Sequence, residues 1–390
     1  MGPSTLPQIH LLLDESQREL LFSQLLEPLV IPGTIEFILE RNTERRRCEV
    51  SIHGASSRFF SAKQSLDIEL NGNISLHHYL PPSMRSICAA SSDDLILNAA
   101  AFDMSKIRSF LSMATTHRLG GVVPAMGFAE LYINQSYYGL VTMSEKITPT
   151  WVRQKTATSG AFDLIKAVGW GADLRPKEDP LLHYELKYGN STGLGGTMDW
   201  LAAFNGSCSD IFMHTDTASV FGYPMGVLLS GDGDAFGKNY YYLHHILTQK
   251  FQILRWDGDA AWGRGWDGSE CSLIWQGPPQ TNQLYQILWN DSSWRAELKQ
   301  RFEQKFEQGF DLQLIELVDS LYELLQEPLV RDLQKWGPIL IPTFANFFGV
   351  NSWPNYTEHN PQQLIDEEFA MIRNYISTSH QRMLDELARP

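Results

Sequence analysis

Two short acidic segments hold the residue types best suited to chemistry. One runs Ser230-Gly-Asp-Gly-Asp-Ala-Phe-Gly-Lys-Asn-Tyr240 and the other Arg255-Trp-Asp-Gly-Asp-Ala-Ala-Trp-Gly263. Asp234 stands five residues before Asn239, and Asp257 stands two before Asp259. Carboxylate and amide oxygens are hard donors that suit a divalent ion such as Mg²⁺. An ionised Asp can also orient a hydroxyl and take its proton. The surrounding glycines let phosphates and a metal ion approach the backbone closely. The bland alternative is a structural or calcium-binding Asp/Gly turn. Asp232-Gly-Asp234 begins like an EF-hand loop, but the twelfth position from Asp232 is Leu243, and from Asp257 it is Gly268. Neither is the Glu that such a loop requires.

The separation of Asp234 and Asn239 is that of the catalytic Asp and the metal-binding Asn in the protein-kinase catalytic loop. A second acidic cluster follows after a hairpin-like stretch, where a kinase places its principal metal-binding Asp. Phosphoryl transfer needs both parts: a carboxylate for the attacking hydroxyl, and hard ligands for the ion that holds the β and γ phosphates.

The elements that must position these residues can be read from periodicity. Residues 14–27 carry Leu20, Leu21, Leu25 and Leu26 at helical spacing behind Asp14. Residues 47–53 and 65–70 alternate apolar and polar residues as strands do, with a turn-rich connector at Gly54–Arg58 suited to covering phosphates. Residues 103–118 read as a helix capped by Asp103. Two further hairpins are expected, at 128–133 with 137–143 and at 239–244 with 251–256, and 197–220 reads as an apolar helix. From Trp294 to Trp336 the pattern is helical, with Leu314, Val318, Leu321 and Leu325 on one stripe and Pro328 expected to limit any single helix. A last helix is expected from Asn360 to Leu387, with Asn360 as cap and Pro361 in the first turn. Hairpins first and helices later point to an α+β fold, not a doubly wound parallel sheet.

Composition narrows the classes. The chain has 390 residues, 43% hydrophobic, enough for a large core, and a net charge of −14 argues against nucleic acid as partner. No uncharged apolar run reaches the ~18 residues of a membrane span. Met1–Leu13 has no basic segment leading a long apolar run, so neither a signal peptide nor a membrane partner is expected, and a cytoplasmic location is. Cys48, Cys88, Cys208 and Cys271 are far apart without CxxC spacing and read as free thiols.

Taken in order, these segments resemble the CotH kinase family, atypical protein kinases of the spore-coat protein H type. Gly54-Ala-Ser-Ser-Arg58 with Lys63-Gln-Ser65 resembles the family's Gly-x-Ser-Ser-Arg element and following lysine. Leu97-Asn98, Asp103 and Ile107-Arg108 resemble its Leu-Asn, Asp and Arg helix. Tyr132–Gly139 and Glu145 resemble its second hairpin and following Glu. Asp234 with Asn239-Tyr-Tyr241, then Trp256–Arg264, resembles its catalytic and metal-binding elements, and Asp332, Trp336 and Arg382 in the tail do so more weakly. The likeness spans about Leu6 to Leu387.

It implies one domain over 1–390 with a reduced protein-kinase-like fold, a sheet-rich lobe over roughly 1–150 and a helix-rich lobe over roughly 151–390. It implies transfer of the γ-phosphate of ATP, with Mg²⁺ or Mn²⁺, to Ser or Thr of a protein. Asp234 would be the catalytic base, Asp257 the principal metal ligand, Asn239 a second ligand and Asp259 a support. Lys63 would contact phosphate, with help from Arg58. The sequence departs from the family at Asp232 (often Asn), at Arg255 (usually Pro), at Gly258 (usually bulky) and at Ala62-Lys63-Gln64 (often Pro-Lys-Lys). The last departure leaves Lys166, in Asp163-Leu-Ile-Lys166, as another candidate for the phosphate contact.

Other residues read more blandly. Glu145 and Lys146 can anchor a hairpin. His244 and His245 face opposite ways on a strand and cannot easily share a metal. Trp256 and Trp262 read as packing around the acidic turn, and Gly193-Leu-Gly-Gly196 lacks the Gly-Lys-Ser/Thr of a Walker loop. Two other functions compete with the kinase: a catalytically weak pseudokinase acting as a scaffold, and a metal-dependent phosphohydrolase. The acceptor expected for the kinase is a Ser or Thr in a flexible basic segment of a partner protein. The acid balance supports the basic character, since Gly231–Gly263 holds four Asp against Lys238, Lys250 and Arg255.

Overall fold

Alternation at 48–52 and 66–70 puts two apolar sets on one face, and strand pairing brings those sets together. In a computed structural model, β3 (Asn42–His53) and β4 (Ser65–Ile74) pair antiparallel with Cys48 opposite Leu70, Val50 opposite Ile68 and Ile52 opposite Leu66. The structure describes residues 6–390 except 55, 157, 159, 170, 176, 191–207, 266–267, 272–281, 349–359 and 389–390, and describes the backbone alone over 341–348. Gly193–Gly196 and the first part of the helix expected over 197–220 lie outside the described residues.

With β1 (Gln8–Leu13), β2 (Val30–Leu39), β5 (Ser92–Asn98), β6 (Met126–Ile133) and β7 (Ser136–Glu145), these strands close a seven-stranded barrel of order β1-β2-β3-β4-β5-β7-β6. β1 closes it by running parallel to β6, with Ile9 opposite Leu131. A closed sheet has no unpaired edge to protect. A second, antiparallel sheet has the order β11-β10-β8-β9, formed by β8 (Phe162–Ala167), β9 (Tyr184–Tyr188), β10 (Tyr240–His245) and β11 (Lys250–Arg255). One face of it packs Leu164, Tyr241, Leu243 and Leu254 against Ile147 and Trp151, just beyond the end of β7.

Helices fill the rest. Asp14 caps Glu15–Ser23 by accepting from the Gln17 N–H at 3.1 Å, and Asn360 caps Pro361–Leu387 by accepting from the Gln363 N–H at 2.9 Å. Both caps were expected. Two expectations need correction. The helix foreseen from Asp103 begins at Arg108. Asp103 spends its carboxylate on the preceding turn, accepting from the Ser105 N–H at 2.9 Å and the Arg108 N–H at 2.8 Å. Pro328 does not end a helix, for Phe310–Phe348 runs through it. Leu314, Val318, Leu321, Leu325, Leu329 and Leu333 form an almost fully buried stripe along that helix, and their burial offsets the hydrogen bond that proline forfeits. The break falls earlier, at Gly309 (φ +71°), which separates it from Ser292–Glu307.

The architecture is thus α+β with largely antiparallel sheets. Among the described residues no helix is long and apolar enough to cross a membrane. All four cysteines are free thiols.

Candidate active site

The apolar helix Tyr223–Ser230 ends at Gly231, whose left-handed φ of +66° turns the chain into the first acidic segment. Asp232 is buried there as a structural anchor. It accepts from the Asp234 N–H at 3.1 Å and from the Arg255 guanidinium at 3.0 Å. Arg255 is itself fully buried, donating also to Ser230 Oγ at 2.9 Å and Thr116 Oγ1 at 2.5 Å. The Arg255 and Asp232 departures from the family pattern are therefore two halves of one ion pair.

A tight turn follows, in which Asp234 O accepts from the N–H groups of Gly237 and Lys238 at 3.0 and 2.9 Å. It sets Lys238 Nζ 3.0 Å from Asp234 Oδ2. Asn239 then adopts φ +60° and leads into β10. Across the hairpin Tyr240 pairs with Arg255, and Asn239 O accepts from the Trp256 N–H at 3.3 Å. Asn239 and Asp257 therefore leave the same open end of β10–β11.

Asp257 also has a left-handed backbone, φ +63°. Such conformations are uncommon outside glycine but least so for Asn and Asp, and they cluster at functional sites. Asp257 Oδ1 accepts from the Gly258 N–H at 3.0 Å, and Gly258 O accepts from Ser112 Oγ at 2.9 Å. Gly258 sits at φ +135°, and a Cβ there would lie 2.8 Å from the Ser112 Cβ. This close approach requires glycine where the family usually has bulk.

Asp234, Asn239, Asp257 and Asp259 all line one cleft of about 510 Å³, together with Lys166, Lys238 and Trp256. His53, Gly54 and Ser57, from the end of β3 and the connector after it, line it as well. The acids are close enough to disturb one another. Burial raises the Asp257 pKa, and Asp232 adds to the shift. Burial pushes Asp259 well above the ordinary range, with repulsion from Asp257, Asp103, Asp232 and Asp234. Burial also raises Asp234, against the pull of Lys238. The cleft wall is short of positive charge.

Among the described residues no group of three or more His, Cys, Asp or Glu is gathered to hold a metal by itself. The donor set here is two carboxylates and an amide oxygen. That suits Mg²⁺, which takes one or two carboxylates and leaves other positions to water and phosphate.

A test of this charge imbalance needs no substrate. A raised folded-state pKa means that the folded protein holds the proton more tightly than the unfolded chain. The stability contributed by Asp234, Asp257 and Asp259 is then present at low pH and lost as pH rises through their raised values, above the usual Asp range. Asp259→Asn is expected to raise the metal-free unfolding midpoint at pH 8 and to flatten its fall between pH 5 and pH 8. Thermal melts in chelator would refute this if the variant melted at or below the parent at pH 8.

The family profile described as CotH kinase protein matches residues 50–383. The chain belongs to that family. It is 21% identical over 314 residues to inner spore coat protein H of Bacillus subtilis (strain 168), covering 77% of this chain and 83% of that protein. A solved structure, the Helicobacter pylori proinflammatory kinase CtkA, aligns over 75% of this chain and 91% of its own at 10% identity, with a TM-score of 0.24. That score is too low to establish a shared fold.

Two residues assigned from the CotH resemblance are placed away from the cleft. Lys63 is fully buried, and its three ammonium protons are taken by Asp332 Oδ1 at 2.6 Å, Ala99 O at 3.4 Å and Leu140 O. It braces the long helix against the barrel. Arg58 turns towards Leu21 and Leu25 and donates to Ile52 O at 2.6 Å. Gly54 and Ser57 of the same CotH element do reach the cleft.

Glu145 is buried as a structural hub, accepting from the Ala125 N–H and from Trp151 Nε1, each at 2.8 Å. His244 stacks on Phe251 at 4.4 Å and is buried, apart from half-exposed His245. Trp262 is packing, fully buried with Nε1 donating to Ser112 Oγ at 3.0 Å. Trp256 is half-buried, packed against the cluster of Tyr241 and Leu254 on one side and lining the cleft on the other. Sequence reasoning missed Glu368, in the last helix. It binds Arg108 at 2.7 Å and Arg264 at 3.0 Å, next to the segment that follows Asp257 and Asp259. Only its apolar neighbours Ile365, Phe369 and Ile372 signalled that this helix face is buried.

Proposed function

We propose that the protein is an ATP-dependent protein kinase of reduced kinase-like fold. In this reading it uses Mg²⁺ or Mn²⁺ and phosphorylates Ser or Thr in a flexible, basic segment of a partner protein. One observation carries the reading: the β10–β11 hairpin gathers Asp234, Asn239 and Asp257 on one cleft, in the order and spacing phosphoryl transfer uses. Asp234 orients the acceptor hydroxyl and takes its proton. Its ion pair with Lys238 holds the carboxylate in place. Asp257 and Asn239, with Asp259 beside them, hold the metal ion, which when bound supplies positive charge to the β and γ phosphates. The barrel and the part built on the second sheet act as one domain that shares the cleft, since Gly54 and Ser57 come from one and Asp234 and Asp257 from the other.

The withdrawal of Lys63 into an ion pair favours the second reading, a pseudokinase that binds without turnover. Incubation with γ-labelled ATP, Mg²⁺ or Mn²⁺ and a cell lysate separates the readings. Labelled protein bands are expected. Released phosphate without labelled protein would make the chain a phosphohydrolase, and neither product would leave a scaffold.

A further inference from the structure

We propose that Lys166, at the cleft end of β8, is the cation that grips the nucleotide phosphates, and that Lys63 is a bracing residue. The proposal rests on the kinase reading above and names the residue that completes its site.

β8 is an interior strand, hydrogen-bonded to β10 on one side and β9 on the other, so its backbone is fixed. Lys166 lies opposite Tyr241 in β10 and Glu185 in β9, on the face that packs towards the barrel. At the end of that face the apolar packing gives way to the cleft, which Lys166 lines. Its ammonium stands over the Tyr241 ring at 5.7 Å from the centroid, a contact that guides the side chain without consuming its hydrogen-bond donors.

The other lysines near the site are already committed. Lys238 is tied to Asp234 at 3.0 Å. Lys63 has given all three donors to Asp332 and two carbonyls. Lys106 donates to Ala100 O at 2.8 Å and lies 3.7 Å from Asp332. Lys166 makes no ion pair or hydrogen bond among the described residues, although Glu185, then Asp257 and Asp67, act on its charge from a distance. A half-buried ammonium without a carboxylate partner is costly on its own. Burial lowers its proton affinity accordingly, as does the neighbouring Lys187. A phosphate oxygen supplies the missing acceptor, and a lysine is well suited to meet it as a point charge. The cleft also needs such a cation, because the acids that would hold a metal repel unneutralised phosphate.

Calorimetry on the full chain tests this, with Mg-ATP and adenosine as separate ligands. Lys166→Ala is expected to weaken Mg-ATP by roughly 10- to 100-fold, the range of a charged hydrogen bond. Its adenosine affinity should stay at the parent's value and its melting midpoint should not fall, and Lys166→Arg should recover part of the loss. Lys63→Met should instead lower the midpoint, because it leaves the buried Asp332 with only Lys106 at 3.7 Å as a cation among the described residues, and should weaken ATP less than Lys166→Ala does. If Lys166→Ala binds Mg-ATP as the parent does, Lys166 is not the grip and the kinase reading survives. If adenosine and ATP weaken together, the defect is general and the proposal fails. If the parent binds no nucleotide, the kinase reading falls and takes the proposal with it.

Discussion

Asp234→Asn is expected to cut protein phosphorylation by roughly 10²–10⁴-fold, the usual contribution of a positioned base, while Mg-ATP binding stays nearly unchanged. Asp257→Ala should do the opposite first, weakening Mg-ATP binding so that turnover falls as a consequence. The distinction follows from when each group acts. A metal ligand is engaged in the ground state, whereas a base gains its interaction as the transition state forms. The geometry allows the two effects to be separated. Asp234 lies in the turn before β10 with its N–H fixed by Asp232, and Asp257 lies after β11 with its own carboxylate capping Gly258. The Asn side chain keeps the shape of the Asp and loses only the ion pair to Lys238, while repulsion from Asp232 and Asp257 is relieved. The fold should therefore survive. Calorimetry with Mg-ATP, run beside a phosphorylation assay on both variants, checks the assignment. Equal loss of nucleotide binding in the two would abolish the division of roles.

The parts of the site that could be read in the sequence are those whose geometry is local. Asp234, Asn239 and Asp257 flank a single hairpin, so spacing and strand pattern were enough to bring them together. Lys63 shows the opposite case. A lysine just before a strand reads as available, yet its partner Asp332 lies 269 positions away, on a helix that packs against the barrel. Nothing near Lys63 announces that pairing. Lys166 reads as a solvated strand end until β8 is placed between β9 and β10 and its face is seen to pack against Ile147 and Trp151 beyond the barrel's β7.

In the fold, the alternating stretches of β3 and β4 and the two Asp/Asn helix starts were visible because side-chain periodicity and caps are near-neighbour effects. β1 and β2 were not. β2 opens with Val30-Ile-Pro-Gly33, which breaks the alternation, and β1 ends in three consecutive leucines. Asp103 misled in an instructive way. Its carboxylate does accept from N–H groups near a helix start, but Lys106 takes φ +59°, which delays the helix until Arg108. Pro328 was weighed by its missing donor alone, and the buried leucine stripe outweighs that loss.

Glu368→Ala is expected to be among the most destabilising single changes outside the apolar core, costing about 3–5 kcal/mol. Glu368 is almost completely buried, with one oxygen on Arg108 at 2.7 Å and the other on Arg264 at 3.0 Å. Removing it strands two buried guanidinium groups at once. Asp103 would still hold one side of Arg108, at 2.7 Å, but Arg264 would keep, among the described residues, only the Gly268 carbonyl at 3.0 Å. Breaking a buried pair from one side leaves an uncompensated charge, which costs far more than the pair itself contributes. The effect should reach the chemistry. Arg108 also donates to Ala261 O at 3.1 Å, and Trp262 N–H donates to Ser230 O at 2.8 Å, so this network ties the segment after Asp257 to both the last helix and the turn that carries Asp234. Asn374, on the exposed side of the same helix, serves as the control. Asn374→Ala should change stability by no more than about 0.5 kcal/mol. Urea unfolding of both variants decides the matter: if Glu368→Ala unfolds at the same midpoint as Asn374→Ala, the ion network does not hold the last helix to the site.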